Sequence, residues 1–148
     1  MGHTRNSIQI KRDIETVFSL TNDIANWSKL FTEYQESKII KRENNKVTFQ
    51  LITYPNKDNG HQHSWISERI IDKDNFQCFA TRLSPLFPFK YMHIYWKYLH
   101  KDGITEMIWI QDFELEEKCS WSESELEDYL NENSRTQMNE IKLKIEGL

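Results

Sequence analysis

The sequence predicts an α+β fold, in which a curved antiparallel sheet of seven strands wraps around a long C-terminal helix and two short helices follow strand 1. Two observations predict this order. From residue 36 to residue 115, apolar residues recur at a period of two between turn-forming segments, which indicates successive antiparallel strands. The final 25 residues instead follow a helical period, with no proline or glycine before Gly147. Because the 148 residues contain no repeat or linker, we expect a single domain spanning residues 1–148.

The first strand and the first helix have local sequence signals. In "RNSIQIKR", Ile8 and Ile10 alternate with polar neighbours, as in a strand with one buried face. Asp13 can then cap a helix over "IETVFSLTN", because an aspartate side chain accepts hydrogen bonds from the unpaired amides of a first helical turn. The predicted buried side of this helix consists of Val17, Phe18 and Leu20.

A second helix is predicted over "IANWSKLFTEY", which follows the dipeptide "ND". Four of its apolar residues follow one another at spacings of three, four and three, so they share one helical face. That face is unusually aromatic. Its members are Ile24, Trp27, Phe31 and Tyr34.

Six further segments are predicted to form the remaining strands. They are "SKIIKRE", "KVTFQLITY", "HQHSWISERIID", "FQCFATRLS", "YMHIYWKYLH" and "TEMIWIQDFEL". Their connectors "NN", "PNKDNG", "DKDN" and "KDG" carry the residues that tight turns favour. The segment "SPLFPF" contains two prolines, so we expect an irregular loop or bulge there.

The C-terminal helix begins with a capping box, in which Ser122 is followed three residues later by Glu125. Two polar residues, Asn133 and Gln137, occupy positions of its seam where a helical repeat predicts core. A long helix can cover one face of a curved sheet, and we expect these two amides to point into a ligand-holding space between helix and sheet. The apolar members of the seam are Leu126, Leu130, Met138, Ile141, Ile145 and Leu148.

One predicted strand carries functional groups, rather than an aliphatic stripe, on one of its faces. Alternate side chains of a strand share a face, so "HQHSWISERI" aligns five residues. They are His61, His63, Trp65, Ser67 and Arg69. We interpret this row as looking into a cavity rather than into a packed core.

Composition and charge exclude several functional classes. The net charge of −4 offers no basic stripe for nucleic acid. No window approaches the 18 apolar residues of a membrane span, and the N-terminus has no apolar signal region, so we expect a cytoplasmic protein that binds neither nucleic acid nor membrane. Cys78 and Cys119 lack metal or redox spacing and are expected to be reduced bystanders.

Several segments resemble, in order and spacing, the tetracenomycin-type aromatase/cyclases of bacterial aromatic polyketide synthases, whose fold is the helix-grip fold of Bet v 1-like and START-like proteins. These segments are "NSIQI", "VFSLTNDIANWSKLFTEY", "WISERI", "FKYMHIYWKY", "GITEMIWIQDFEL" and "YLNENSRTQMNEIK". The resemblance covers about residues 5–146. Its most specific parts are the patterns "TNDI-x-x-W-x-x-LF-x-EY" and "W-x-S-x-R". Fold likeness alone would be weak support, because this fold serves many functions.

The resemblance implies an enzyme that binds a reactive poly-β-ketone held on an acyl carrier protein. It would direct first-ring aldol closure and then dehydration to an aromatic ring, a lyase-type reaction without a metal or organic cofactor. The implied partners are the acyl carrier protein and other polyketide synthase components, and we expect a monomer or weak dimer. Chain length and the carbons that join are left open.

The residues that serve this function in the family match positions of this chain. The implied catalytic set is Arg69, Tyr34 and Ser67, and the strand face adds His63 as a further candidate. The implied substrate-binding set is Trp27, Phe31, Trp65, Arg82, Trp96, Trp109 and Gln111, and the seam of the C-terminal helix adds Asn133 and Gln137. Two positions depart from the family: His63 replaces a second tryptophan, and Gln137 replaces an asparagine, which alters the volume and hydrogen bonding of the pocket.

Each catalytic assignment has a chemical reason and an alternative. Arg69 can stabilise negative charge on a carbonyl oxygen but cannot act as a base, since a guanidinium stays protonated; its alternative is a surface pair with Glu68. The nearby cation is expected to favour the phenolate form of Tyr34, which could then transfer a proton. The alternative is that the Tyr34 hydroxyl only orients substrate. Ser67 can position a water or a carbonyl or bond to backbone. His63 can transfer a proton or simply line the pocket.

The sequence is also compatible with three other functions. The same fold could carry a lipid or another apolar ligand without catalysis. The pocket could instead chaperone a chain that is cyclised elsewhere. "HQHSWISE" also fits a cupin metal motif, in which His61, His63, Glu68 and His93 would be ligands, although the cupin glycines are missing and a cupin is all-β.

Overall fold

The computed structural model describes residues 1–148 and contains seven strands and three helices. The strands are β1 (Gly2–Ile10), β2 (Tyr34–Glu43), β3 (Lys46–Thr53), β4 (Ser64–Asp72), β5 (Gln77–Ser84), β6 (Phe89–Lys101) and β7 (Ile104–Leu115). The helices are α1 (Ile14–Thr21), α2 (Trp27–Leu30), which a short 3-10 turn (Ile24–Asn26) precedes, and α3 (Glu123–Glu146). The predicted α+β order of elements is confirmed.

All seven strands form one antiparallel sheet in the order β1-β7-β6-β5-β4-β3-β2. The hairpins from β2 to β7 connect neighbours, whereas β1 pairs with the last strand, β7. Helices α1 and α2 carry the chain from β1 at one edge to β2 at the other. Such a sheet has one face to cover, and α3 covers it while packing mainly against β1.

Helix α3 begins and packs as its sequence predicts. The capping box is formed, with Glu125 N donating to Ser122 Oγ over 3.1 Å and Ser122 N donating to Glu125 Oε1 over 3.0 Å. Met138, Ile141 and Ile145 are buried. Leu148 was expected in the seam, and this is wrong: it follows the end of the helix and is 72% exposed.

The predicted second helix is too long at its C-terminal end. Helix α2 ends at Leu30, and Tyr34 is the first residue of β2, paired with Thr53 of β3. The chain leaves the helix where a side chain of α3 takes the next backbone donor. Thr32 N donates to Gln137 Oε1 of α3 over 2.9 Å instead of to an intrahelical carbonyl. Trp27, Phe31 and Tyr34 nevertheless converge in the core.

Strand β4 starts at Ser64, so the prediction that His61 and His63 belong to the strand is wrong. The preceding loop is held by its own polar groups; Asp58 N, for example, donates to Asn56 Oδ1 over 2.8 Å. The prolines of "SPLFPF" lie between β5 and β6, as expected of an irregular connection. None of the helices combines the length and the apolar character that crossing a bilayer requires.

The core consists of two clusters. The larger one lies where α1, α2 and α3 meet the sheet, and its fully enclosed members include Ile10, Val17, Met107 and Ile141. The smaller one is formed by Phe89, Met92, Phe113 and Leu126 near the start of α3. Members of both clusters line the same hollow, which therefore lies between them.

Candidate active site

A cavity of about 330 Å³ lies between the concave face of the sheet and α3. Its lining includes every residue of the expected catalytic and substrate-binding sets. These residues are Trp27, Phe31, Tyr34, His63, Trp65, Ser67, Arg69, Arg82, Trp96, Trp109, Gln111, Asn133 and Gln137. The sequence therefore brings these side chains together, whatever the role of each.

The walls of the cavity are stacked indoles. Trp96 and Trp109 are direct partners across β6 and β7, and their rings lie 4.4 Å apart and nearly parallel. Trp27 also stacks with Trp96, with 5.9 Å between the ring centroids. Tyr34 contacts Trp65 edge to face. Flat walls of this kind suit a chain of planar carbonyl groups or a planar aromatic product.

Arg69 is buried on the inner face of β4 and is only 1% exposed. Its guanidinium lies 4.1 Å from the centre of the Trp96 ring and 5.3 Å from that of Trp27. Glu68 lies on the other face, where it pairs with Lys46, so the alternative of a surface pair between Arg69 and Glu68 is wrong. Arg69 is thus a cation that faces aromatic rings rather than a carboxylate.

Two buried donors have no hydrogen-bond partner in the protein. They are Arg69 Nη2 and Trp109 Nε1, and both residues line the cavity. Leaving a buried donor unpaired is unfavourable, especially for a charged group. The two donors would be satisfied by acceptor oxygens, which a ligand rich in carbonyl groups supplies.

Glu33 also lines the cavity, and the sequence reasoning missed it. Asn133 Nδ2 donates to its Oε2 over 3.1 Å. Burial raises the pKa of the Glu33 carboxyl, and hydrogen bonds to Asn133 and Tyr34 offset this only in part. Period-two alternation would point Glu33 away from Tyr34, but residues 32–33 form a bend that cancels the alternation. A carboxyl with a raised pKa in a cavity is a candidate proton-transfer group.

The structure corrects the expected effect of Arg69 on Tyr34. Burial raises the pKa of the Tyr34 phenol well above its usual range, and the neighbouring Glu33 raises it further. Arg69 acts in the opposite direction, but its effect is smaller. Tyr34 is therefore a neutral hydroxyl donor at working pH rather than a phenolate base.

The amides of α3 bond to the protein rather than standing free in the cavity. Gln137 Nε2 donates to Thr32 Oγ1 over 2.8 Å, while its Oε1 accepts from Thr32 N. Together with the bond from Asn133 to Glu33, this clamp fixes the segment that carries Glu33 and Tyr34. Gln137 therefore supports this segment, and its direct contact with substrate stays a prediction.

Gln111 and Arg82 are similarly engaged. Gln111 Oε1 accepts from Thr4 Oγ1 over 2.7 Å. Arg82 Nε donates to Pro85 O over 2.8 Å, and its guanidinium lies 4.9 Å from the centre of the Trp65 ring. Arg82 therefore ties the irregular loop after β5 to the cavity wall.

The mouth of the cavity lies near His63 and Tyr129, since both residues line it and are exposed. The metal alternative fails on geometry. No group of three side chains of the types that bind metals comes together anywhere in the protein, so His61, His63, Glu68 and His93 do not form a ligand set. His63 is a residue of the rim, not of the strand face.

Solved structures with the same fold confirm the helix-grip prediction. Zhui aromatase/cyclase from Streptomyces sp. R1128 superimposes with a TM-score of 0.85 at 16% identity, covering 97% of this chain and 93% of that one. A START superfamily protein from Mycobacterium smegmatis gives a TM-score of 0.72 at 13% identity, covering 99% of this chain and 96% of that one. At these identities the likeness shows the fold alone.

Sequence relatives go further than the fold. A Streptomyces cyaneus protein named "Putative polyketide cyclase" is 38% identical over 145 residues, which is 98% of this chain and 94% of that protein. The family described as "Polyketide cyclase / dehydrase and lipid transport" matches residues 1–146. The chain therefore belongs to this polyketide cyclase/dehydrase and lipid transport family, and the resemblance found in its sequence is confirmed.

Proposed function

We propose that this protein is a polyketide cyclase that binds a poly-β-ketone on an acyl carrier protein and directs first-ring aldol closure and dehydration. Membership of the family and the named relatives support the general activity. One observation carries the specific reaction: the buried guanidinium of Arg69, free of any ion pair, in an aromatic cavity. A carrier of inert apolar ligands has no use for such a cation.

Positioning is the first part of the mechanism. The methylenes of a poly-β-ketone are already acidified by the flanking carbonyls, so the demanding step is the choice of one fold of the chain. The stacked indoles of Trp27, Trp96 and Trp109 form a wall of the cavity and favour planar arrangements of the chain lying against it. Holding the reacting carbons close together can lower the activation free energy by up to about 7–11 kcal/mol.

Charge stabilisation is the second part. A base removes a methylene proton, the resulting carbanion attacks a carbonyl carbon, and a carbon–carbon bond forms while the carbonyl oxygen takes the negative charge. Arg69 receives this oxygen in a site where its charge is poorly screened by water. Protonation gives an aldol, which then loses its hydroxyl and a neighbouring proton as water.

Proton transfer is assigned to Glu33 and Tyr34. The raised pKa of Glu33 brings this carboxyl closer to the working pH, so that it can both accept and return a proton. Tyr34 donates a hydrogen bond as a neutral phenol. Ser67 orients a carbonyl beside Arg69, and His63 at the rim contacts the part of the chain nearest to the carrier protein. No metal or organic cofactor enters these steps.

The proposal is tested by reconstitution with a minimal polyketide synthase, in which products are compared with and without the protein. Arg69→Met keeps the apolar stem and removes the charge. We expect the directed product to fall roughly a hundredfold, as for removal of one oxyanion donor elsewhere. Removing an unpaired buried charge should leave the free energy of unfolding unchanged or higher. Arg5→Met, on the exposed outer face, is the matched control.

Two outcomes would contradict the proposal. If the products are the same with and without the wild-type protein, the protein is not a cyclase for that polyketide. If Arg69→Met matches the wild type, Arg69 has no part in the chemistry. The family description also names lipid transport, so lipid extracted from the purified protein, together with unchanged products, would favour the carrier function.

A further inference from the structure

The side chain of Asn22 anchors Arg69 at the floor of the cavity. Asn22 follows the last residue of α1, and its Oδ1 accepts from Arg69 Nε over 3.0 Å and from Cys78 Sγ over 3.1 Å. Its Nδ2 donates to Phe18 O over 3.0 Å and to Tyr98 Oη over 3.3 Å. Donors and acceptors on both sides fix the orientation of the amide, so a neutral oxygen faces the guanidinium.

Arg69 retains an uncompensated charge in this arrangement. No ion pair of the molecule includes it. Its guanidinium also lies against the faces of Trp96 and Trp27, which attract the cation without neutralising it. Its Nη2 has no partner at all. Buried arginines are ordinarily paired with carboxylates, so a neutral anchor is a distinctive feature of this cavity.

We propose that Asn22 is a positioning residue that holds Arg69 through a neutral amide, so that the cavity keeps a net positive charge for an anionic oxygen of a planar ligand. The oxygen belongs to an enolate or a carboxylate. An aspartate at this position would be nearly the same size and could still accept from Arg69 Nε. It would also supply the counter-charge that the present arrangement avoids. The enolate as ligand rests on the proposed cyclase function, whereas the preference for binding an anionic oxygen does not.

The test compares two planar probes by calorimetry at neutral pH: 2-naphthoate, which is anionic, and 2-naphthol, which is neutral. The wild type is expected to bind the naphthoate more tightly. Asn22→Asp should weaken naphthoate binding roughly tenfold or more, because a charge at contact distance offsets the guanidinium, while naphthol binding stays unchanged. Asn139→Asp adds the same charge at an exposed position of α3 and should leave both affinities unchanged.

Asn22→Ala supplies the second measurement and decides the question if Asn22→Asp does not fold. It removes the anchor without adding charge, so naphthoate binding should weaken, less than in Asn22→Asp, and naphthol binding should not change. A purely structural role predicts instead an equal loss for both probes. Either that result, or wild-type naphthoate affinity in a folded Asn22→Asp, would overturn the inference. Neither assay requires a polyketide synthase, so failure of the cyclase test leaves the charge preference standing, and the reverse also holds.

Discussion

Glu33 is the residue whose proposed role in proton transfer depends most directly on its burial. Its carboxyl is held by Asn133 and lies beside Tyr34, yet burial still raises its pKa. A carboxyl whose pKa is raised on folding is favoured in its protonated form by the folded state. Its contribution to stability is therefore full below the unfolded pKa and is lost as the pH rises through the folded pKa.

Glu33→Gln should remove this pH dependence. At neutral pH the variant is expected to have a higher free energy of unfolding than the wild type, and the difference should vanish below the ordinary glutamate pKa of 4.5. Urea denaturation at the two pH values measures it. Glu132→Gln, on the exposed side of α3, should change stability by less than about 0.5 kcal/mol at either pH. A variant less stable than the wild type at neutral pH would show that the carboxylate is favoured.

Residue-level reasoning from the sequence succeeded where the backbone is regular. Alternation along β4 places Trp65, Ser67 and Arg69 on the cavity side, and the structure has them there. It failed at Glu33, which lies in a bend. It also missed Asn22, because the partner of that amide is Arg69, 47 positions further along the chain, and such a contact follows from the whole fold.

At the scale of elements, α3 is the helix whose start is best specified by local sequence. Ser122 and Glu125 exchange hydrogen bonds with each other's backbone at its first turn. The same turn bears Leu126, which lines the cavity. A loss of the cap therefore affects both the helix and the wall of the cavity.

Ser122→Ala should lower the free energy of unfolding by about 1 kcal/mol, the usual value for the loss of a serine cap. Ser124→Ala, two residues into the helix and exposed, is the matched control and should be neutral or slightly stabilising, since alanine is the better helix former. Thermal or urea denaturation compares the two. Equal effects of the two substitutions would mean that the capping box does not stabilise α3.

Elements were predictable where local signals and tertiary contacts agree. The capped starts of α1 and α3 and the strands of the hairpins follow from the sequence. Helix α2 was predicted to continue to Tyr34 because the aromatic spacing is helical. The two hydrogen bonds between Thr32 and Gln137 and the pairing of β2 with β3 favour an extended chain instead, and neither is visible in a local pattern.

At the scale of the molecule, the space enclosed by the sheet is tightly packed in one part and hollow in another. The interior around Val17 and Ile141 is fully packed, whereas the space between Arg69 and the start of α3 is open. The sequence predicted a hollow from its aromatic and polar inward-facing residues, but not its extent, since the volume depends on how far α3 stands from the sheet. The open part is where added side-chain volume should be tolerated.

Ala80→Leu and Val17→Leu form a pair that tests this division. Ala80 lines the cavity opposite α3, so the added atoms should enter empty space, leave the free energy of unfolding nearly unchanged and weaken 2-naphthol binding roughly tenfold. Val17 is fully enclosed, so a single extra methylene should cost about 1–3 kcal/mol of stability and leave naphthol binding unchanged. Denaturation and calorimetry on the same samples give both quantities. If Ala80→Leu were destabilised as strongly as Val17→Leu and still bound naphthol, the ligand would have to bind elsewhere than in the space between sheet and helix.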